Sequence, residues 1–376
     1  MSASPLVEPI EPTEPIELIE LIELIEIEGE PFSRGRQYGA RAAGAIGQNA
    51  AAYRRLIAYH GGLEGEAATA AALAFEPLLE AHAPALLQEM RGIAAGAGCD
   101  LADVLLINVR SELMVAPPQG GECTALAATA PATAVGEVLL GQNWDWFTTA
   151  EAEPVLLHIR RPAGPEILTL AEAGQVAKIG LNSAGLGVCL NFLEHAHRGQ
   201  GLPIHVLLRL MLESETPGAA AMQAIGHPRA GAANVLLAHA EGEILDLELT
   251  ASAADHLYGD AGWLVHANHF ESPLLRGGDT GLATSSSTLP RAARARRLMA
   301  ARAGQLSAET FRAILTDHAY GHAAICRHPD PTLPPEEQTE TRASLLMELS
   351  EGRLHVTVGQ PCRDATRVLS LSLASG

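Results

Sequence analysis

The sequence predicts an α+β fold in which antiparallel sheets stack on one another and helices flank them. Helical stretches gather in blocks on either side of a long run of strands. Within that run, short β-like segments come in consecutive pairs rather than alternating with helices, which argues against βαβ units. No glycine-rich phosphate loop follows a strand and opens a helix, so nucleotide binding has no support.

The elements follow in order. Residues 8–26 place Glu at every third position through "EPIEPTEPIELIELIELIE". Proline bars a helix from the first half, and a period of three fits neither helix nor strand, so 1–24 is expected to be a disordered acidic leader. Order is expected from "IEIEGEPF" (25–32), which alternates like a strand, and 25–376 is read as a single domain. "SRGRQYG" leads into two or three Ala-rich helices up to about residue 98, and 100–113 reads as another, capped by Asp100. Strand pairs are expected at 123–130 with 136–143, 154–160 with 165–171, and 176–181 with 185–192. Helices are expected at 203–214 and 217–226, strands at 233–240, 243–249 and 262–267, and helices again at 290–303 and 308–317. The chain closes in a meander over 342–350, 353–359 and 366–373.

With 376 residues, 47% of them hydrophobic and 18% charged, the chain has the balance of a soluble globular protein. Its net charge of −19 argues against nucleic acid as a partner. Nine glutamates fall in the first thirty residues, so the rest is only moderately acidic. No apolar run approaches the ~18 residues of a membrane span, and no secretory signal is visible. The five cysteines at 99, 123, 189, 326 and 362 show no CxxC spacing, which points to a reducing cytoplasm rather than a disulfide framework.

Cys123 follows the loop "PPQGGE", at an expected exposed turn where helical texture gives way to strands. A lone cysteine is by default a small buried hydrophobe. Downstream, however, "GQNWDW" (141–146) crowds Asn143 and Asp145 among two indoles, the composition of a site as well as of a core anchor.

The stretch "GECTALAATAPATAVGEVLLGQNWDW" resembles the nucleophile segment of the acyl-coenzyme A:6-aminopenicillanic acid acyltransferase family, cysteine members of the N-terminal nucleophile (Ntn) hydrolases. "GEPFSRGRQYG" (29–39), "AGQVAKIGLNSAGLGVCLNFL" (173–193), "GLPIHVLLRLMLES" (201–214), "LVHANHF" (264–270) and "AICRHP" (324–329) resemble further family segments in family order, covering about 29–373. The resemblance implies a four-layer αββα sandwich that cuts itself between Glu122 and Cys123 into α and β chains, 1–122 and 123–376. The freed α-amine, with an ordinary pKa near 8, then serves as base for its own thiol. Glu122 is a departure from relatives with glycine before the cysteine.

The resemblance also implies roles for other residues. Asp145 orients the new amine, Asn268 lends an oxyanion N–H, and Arg327 takes part in cleavage or holds a substrate carboxylate. Thr124, Asn143 and Trp144 support the nucleophile. As isolated residues, Asp145 and Asn268 would read as turn residues and Arg327 as a structural ion pair.

His195 with His197, and His266 with His269, have ligand-like spacing, but no nearby cysteine or acid completes a set, so no metal and no cofactor are expected. "RAARARRL" (291–298) reads as a solvated helix face, with an anion clamp as the minority reading. Cys99, Cys189, Cys326 and Cys362 read as core or neutral, Cys326 being notable for its neighbour Arg327.

The expected function is hydrolysis of a small N-acyl or peptide-like amide through a Cys123 acyl-enzyme. Acyl transfer from a thioester or amide to an amine is the alternative, and a non-catalytic binding relative is the alternative of another class. The leader could recruit a partner under any of these readings, and homo-oligomerisation is left open.

Overall fold

The structure is a computed structural model that describes residues 22–114, 122–150, 154–285 and 287–374. Nearly all of the acidic leader therefore lies outside the described residues, as does most of the loop before Cys123.

β1 (Leu24–Glu28) is followed by α1 (Pro31–Arg41), α2 (Ala43–Gly61), α3 (Gly65–Leu73), α4 (Glu76–His82), α5 (Pro84–Ala97), α6 (Leu101–Asn108) and α7 (Arg110–Leu113). Then come β2 (Cys123–Ala128), β3 (Leu139–Phe147), β4 (Pro154–Arg160), β5 (Ile167–Glu172), β6 (Ile179–Asn182) and β7 (Leu186–Leu193). α8 (Ile204–Leu212) and α9 (Pro217–Gly226) precede β8 (Ala232–His239), β9 (Ile244–Leu249), β10 (Ala254–Tyr258) and β11 (Trp263–His266). α10 (Thr288–Ala300), α11 (Ala308–Leu315), β12 (Thr339–Glu348), β13 (Arg353–Val358) and β14 (Thr366–Ser370) complete the chain.

Prolines at the starts of α1, α5 and α9 sit where no helical N–H is lost, and Gly98 closes α5 in the left-handed region at φ 69°. Thr216 caps α9 and Ser307 forms a capping box on α11. Asp100 precedes α6 as expected, but its side chain makes no capping bond, and the expected helix breaks at Val109. α1 and α5 approach through glycines. A Cβ on Gly35 would lie 1.9 Å from the Glu89 carbonyl oxygen, and one on Gly92 would lie 2.2 Å from that of Phe32.

Eight strands run in the order β1-β4-β5-β6-β7-β8-β9-β10, and six in the order β11-β2-β3-β12-β13-β14. Among the described strands only β1 with β4 is parallel. β2 and β3 face β7 and β8. α8 and α9 cover the outer face of the larger sheet, and α10 and α11 cover the smaller. The result is the four-layer αββα sandwich. Because both sheets are covered on both faces, β2 and β3 are buried at every position and lack alternating polarity.

The main apolar cluster runs through the layers of the sandwich and includes Leu140, Leu157, Val188 and Leu236. A second, with Leu126, Met299, Phe311 and Leu346, seats α10 and α11. Each fully buried Leu or Phe stabilises the fold by about 1.5–3 kcal/mol. β10, with its exposed and half-buried "ADHLY", escaped the sequence reading because this edge strand has no fully buried residue.

Candidate active site

Cys123 is the first residue of β2, an interior strand of the smaller sheet next to its edge strand β11. It lies opposite Trp144 of β3 on one side, while on the other β11 pairs His266 with Ala125. Beyond that last pair the chain runs on to Asn268, which draws level with Cys123. Burial of Cys123 is nearly complete, at 4% exposure, in contrast to the exposed turn expected from sequence. Burial first, and then the Asp145 carboxylate, push its thiol up to about 11.

The two ends of the Glu122–Cys123 peptide bond are held by different strands. The Cys123 backbone N–H donates to Asn268 Oδ1 at 2.8 Å. The Asp145 backbone N–H donates to the Glu122 carbonyl oxygen at 2.8 Å. Asn268 is thus turned opposite to the sequence expectation. Its Nδ2 donates to the Phe192 carbonyl (3.0 Å), while Oδ1 faces residue 123 and also accepts from Arg291 Nη2 (2.9 Å). With two donors on its oxygen and an acceptor on its nitrogen, the amide has one satisfied orientation.

Asp145 sits inside β3, because that strand starts and ends later than its sequence suggests. Its Oδ1 accepts from Thr341 Oγ1 at 2.7 Å. Its Oδ2 lies 3.6 Å from Arg327 Nε and accepts no hydrogen bond among the described residues. Burial raises this carboxyl to about 6 against the pull of Arg327 and Arg291.

The Glu122 side chain, 3% exposed, accepts from Ser285, Ser287 and Arg327, with Arg291 at 3.4 Å. Burial opposes its charge, but the two guanidinium groups outweigh burial and hold the carboxyl down at about 2. Arg327 is braced by Thr339 Oγ1 (3.0 Å) and Ser287 Oγ (2.7 Å). A cleft of about 250 Å³ opens onto this clamp, lined by Glu122, Ser287, Arg327 and Thr339.

Of the supporting residues, Thr124 accepts from Arg291 Nη1 at 2.8 Å. Asn143 points away from Cys123: its Nδ2 donates to the Leu315 and Ile325 carbonyls (2.7 and 2.9 Å), strapping the loop that carries Arg327. Trp144 receives the ammonium of Lys178, 3.2 Å from the ring centroid.

Sequence reasoning missed two residues. Arg291 opens the stretch read as a solvated face, yet it is fully buried and touches Glu122, Cys123, Thr124 and Asn268. Nothing in its local pattern distinguishes it from Arg294 or Arg296, which pair with Asp317 and Glu271. Lys178 carried a signal that went unused: it is the single lysine of the chain. It is buried with Glu172 at 3.1 Å, and burial brings it down to about 7 against that pairing. The histidines brace neighbouring segments. His266 meets Glu248 at 2.8 Å, and His269 meets Thr288 Oγ1 at 2.8 Å.

Residues 133–363 match the sequence profile of the acyl-coenzyme A:6-aminopenicillanic acid acyl-transferase family, more than half of the chain. The chain belongs to this family. It is 31% identical over 247 residues to the acyl-coenzyme A:6-aminopenicillanic-acid-acyltransferase 40 kDa form of Emericella nidulans, a match covering 64% of this chain and 68% of that protein. Family membership makes the protein an acyltransferase-type or amidohydrolase-type enzyme acting on amide bonds. Among solved structures, it is similar to a mutant of the conjugated bile acid hydrolase of Clostridium perfringens (TM-score 0.47, 13% identity, 67% of this chain and 98% of the other). It is also similar to penicillin V acylase of Agrobacterium tumefaciens (TM-score 0.44, 13% identity, 66% and 86%). These scores are too low for either protein's chemistry to carry over to this member of the acyl-transferase family.

Proposed function

We propose that the protein cuts its own chain between Glu122 and Cys123 and then works as an N-terminal-cysteine amidohydrolase. The supporting observation is the separate grip on the two ends of that peptide bond, nitrogen by Asn268 and carbonyl by the Asp145 N–H. Asp145, with one oxygen free of hydrogen bonds, takes the thiol proton, and Sγ attacks the Glu122 carbonyl carbon. The Asp145 N–H stabilises the oxyanion that forms. The C–N bond breaks as the proton passes to nitrogen, leaving Glu122 as a thioester on Cys123, which water hydrolyses to a carboxylate and a free thiol. The new α-amine rests on Asn268 Oδ1, and in turnover it serves as the base for the thiol.

Glu122 also suggests the acyl group. When it leaves, Arg327, Arg291, Ser285 and Ser287 remain around the position of its carboxylate. A glutaryl group reproduces the path from the Glu122 carbonyl to that carboxylate carbon for carbon. The favoured substrate is therefore an amide whose acyl part ends in a carboxylate. Acyl transfer to an amine is the second reading, favoured by the name of the Emericella relative.

Denaturing mass spectrometry of the purified protein beside Cys123→Ala tests the cleavage. The expected result is chains 1–122 and 123–376 from the wild type and one full-length chain from the variant. A wild type that stays whole overturns the proposal. On the cleaved enzyme, a glutaryl anilide is expected to show a KM about tenfold below that of the valeryl anilide. Equal values remove the carboxylate preference and leave the cleavage reading standing.

A further inference from the structure

Around Arg327, three residues of its own loop and one from a later turn converge. His318 follows Asp317, whose carboxylate is tied to Arg294 of α10 at 2.6 Å. Cys326 and His328 flank Arg327, and the Cys326 N–H donates to the Asp317 carbonyl at 3.0 Å. Cys362 lies in the turn between β13 and β14, where the Gln360 N–H donates to Asp364 Oδ2 at 2.6 Å. One imidazole nitrogen or thiol sulfur from each of the four lies within 4.8 Å of all the others.

We propose that His318, Cys326, His328 and Cys362 form a tetrahedral zinc site. The distances fit that geometry. Zinc–nitrogen bonds of about 2.0 Å and zinc–sulfur bonds of about 2.3 Å at tetrahedral angles separate ligand atoms by about 3.3 Å for N–N and about 3.5 Å for N–S. His318 Nε2 lies 3.1 Å from His328 Nε2, and Cys362 Sγ lies 3.4 Å from His328 Nε2. Two imidazole nitrogens pointing at each other share at most one proton, and a cation between them satisfies both lone pairs. Two thiolates and two imidazoles are soft and borderline donors that suit zinc, not magnesium or calcium.

Binding replaces the two thiol protons, so one Zn²⁺ enters and two H⁺ leave, and the bound unit is neutral. Four protein ligands leave no open position, which makes the site structural. It clasps the 317–328 loop to the β13–β14 turn and so positions Arg327 without touching substrate. The spacing has no CxxC and no His-x-His, and three of the four ligands sit on a loop that folds back on itself. That is why neither the histidine pairs nor the lone cysteines pointed here.

The site does not depend on the amidohydrolase reading, and the test needs no turnover. The full-length protein, stripped with chelator and kept reduced with a phosphine, is titrated with Co²⁺ and then Zn²⁺. One Co²⁺ per chain is expected, with the intense visible bands of a tetrahedral ion and a thiolate-to-cobalt charge-transfer band, both erased by one equivalent of Zn²⁺. Cys362→Ser and His318→Gln, both at exposed positions, are expected to lose that spectrum, whereas Cys99→Ser retains it. Zinc is also expected to raise the thermal midpoint of the wild type and leave that of Cys362→Ser unchanged. A weak octahedral spectrum overturns the site, as does an unaltered spectrum in Cys362→Ser. A Cys326–Cys362 disulfide in the untreated protein, with no metal uptake after reduction, overturns it equally.

Discussion

Two buried glutamates in this protein each sit between a pair of arginines, Glu89 in the helical block and Glu122 beside Cys123. Glu89 accepts from Arg34 (2.7 Å) and from both terminal nitrogens of Arg209 (2.9 and 3.0 Å). Arg209 spends its remaining donors on the Val176 carbonyl (2.9 Å) and Glu213 (3.0 Å). No side-chain polar atom of Glu89, Arg34 or Arg209 lacks a partner among the described residues. The Glu122 cluster uses similar charges but leaves Asp145 Oδ2 and Arg327 Nε without hydrogen bonds. A saturated network has nothing left to offer and serves the fold, holding α1, α5 and α8 together. A network with spare capacity beside a thiol can accept a proton or a ligand.

Three substitutions sharpen the contrast. The largest effect is expected at Glu89. Glu89→Ala leaves buried Arg34 without a counter-charge and Arg209 with Glu213 alone, and is expected to cost about 3–5 kcal/mol, read from urea midpoints in the uncleaved Cys123→Ala background. A loss below ~1 kcal/mol would put Glu89 on a par with surface ion pairs and dissolve the distinction.

Next comes Asp145→Asn, which retains the backbone N–H on the Glu122 carbonyl but removes the proposed base. Self-cleavage is expected to slow by about a hundredfold or more. In the wild type the carboxyl titrates at about 6, and only its ionised form accepts the thiol proton. The cleavage rate is therefore expected to fall as pH drops through that value. A rate that is flat from about pH 5 to 8 would assign the base to another group.

The smallest effect is expected from Glu122→Gln, again in the uncleaved background. It keeps the shape and some of the hydrogen bonds, at a cost of about 1–3 kcal/mol near neutral pH. The folded carboxyl is held at about 2, below the unfolded value near 4.3, so its contribution is present above the unfolded value and fades as pH falls toward the folded one. The stability difference between the parent chain and its Glu122→Gln variant is expected to vanish as pH approaches 2 in acid titrations followed by circular dichroism. A difference that persists there would show that shape, not charge, anchors residue 122.

Much of the fold was legible because its signals are local. Paired apolar runs and the helices at 203–226 and 290–317 follow from periodicity and turn residues, and the observed α8 to α11 and β4 to β9 lie close to their expected spans. The misses are physical. β3 is buried on both faces, so nothing in its pattern marks where it begins. β10 has no fully buried residue. At the candidate site, family motifs pointed to Cys123, Asp145, Asn268 and Arg327, which the fold brings together, whereas nothing pointed to Arg291 or Lys178, since one looks like any surface arginine and the other stands alone in an apolar hairpin.

The sequence by itself determined the order of helices and strands, the family, and the short segments that carry Cys123 and its neighbours. Only the tertiary structure decided which way the Asn268 amide turns, which arginine of 291–298 goes inward, and that His318 and His328 meet Cys326 and Cys362. Periodicity and motifs are written over a few consecutive residues. Convergence depends on strand register and on how two covered sheets stack, and these are settled by contacts between residues far apart in the chain.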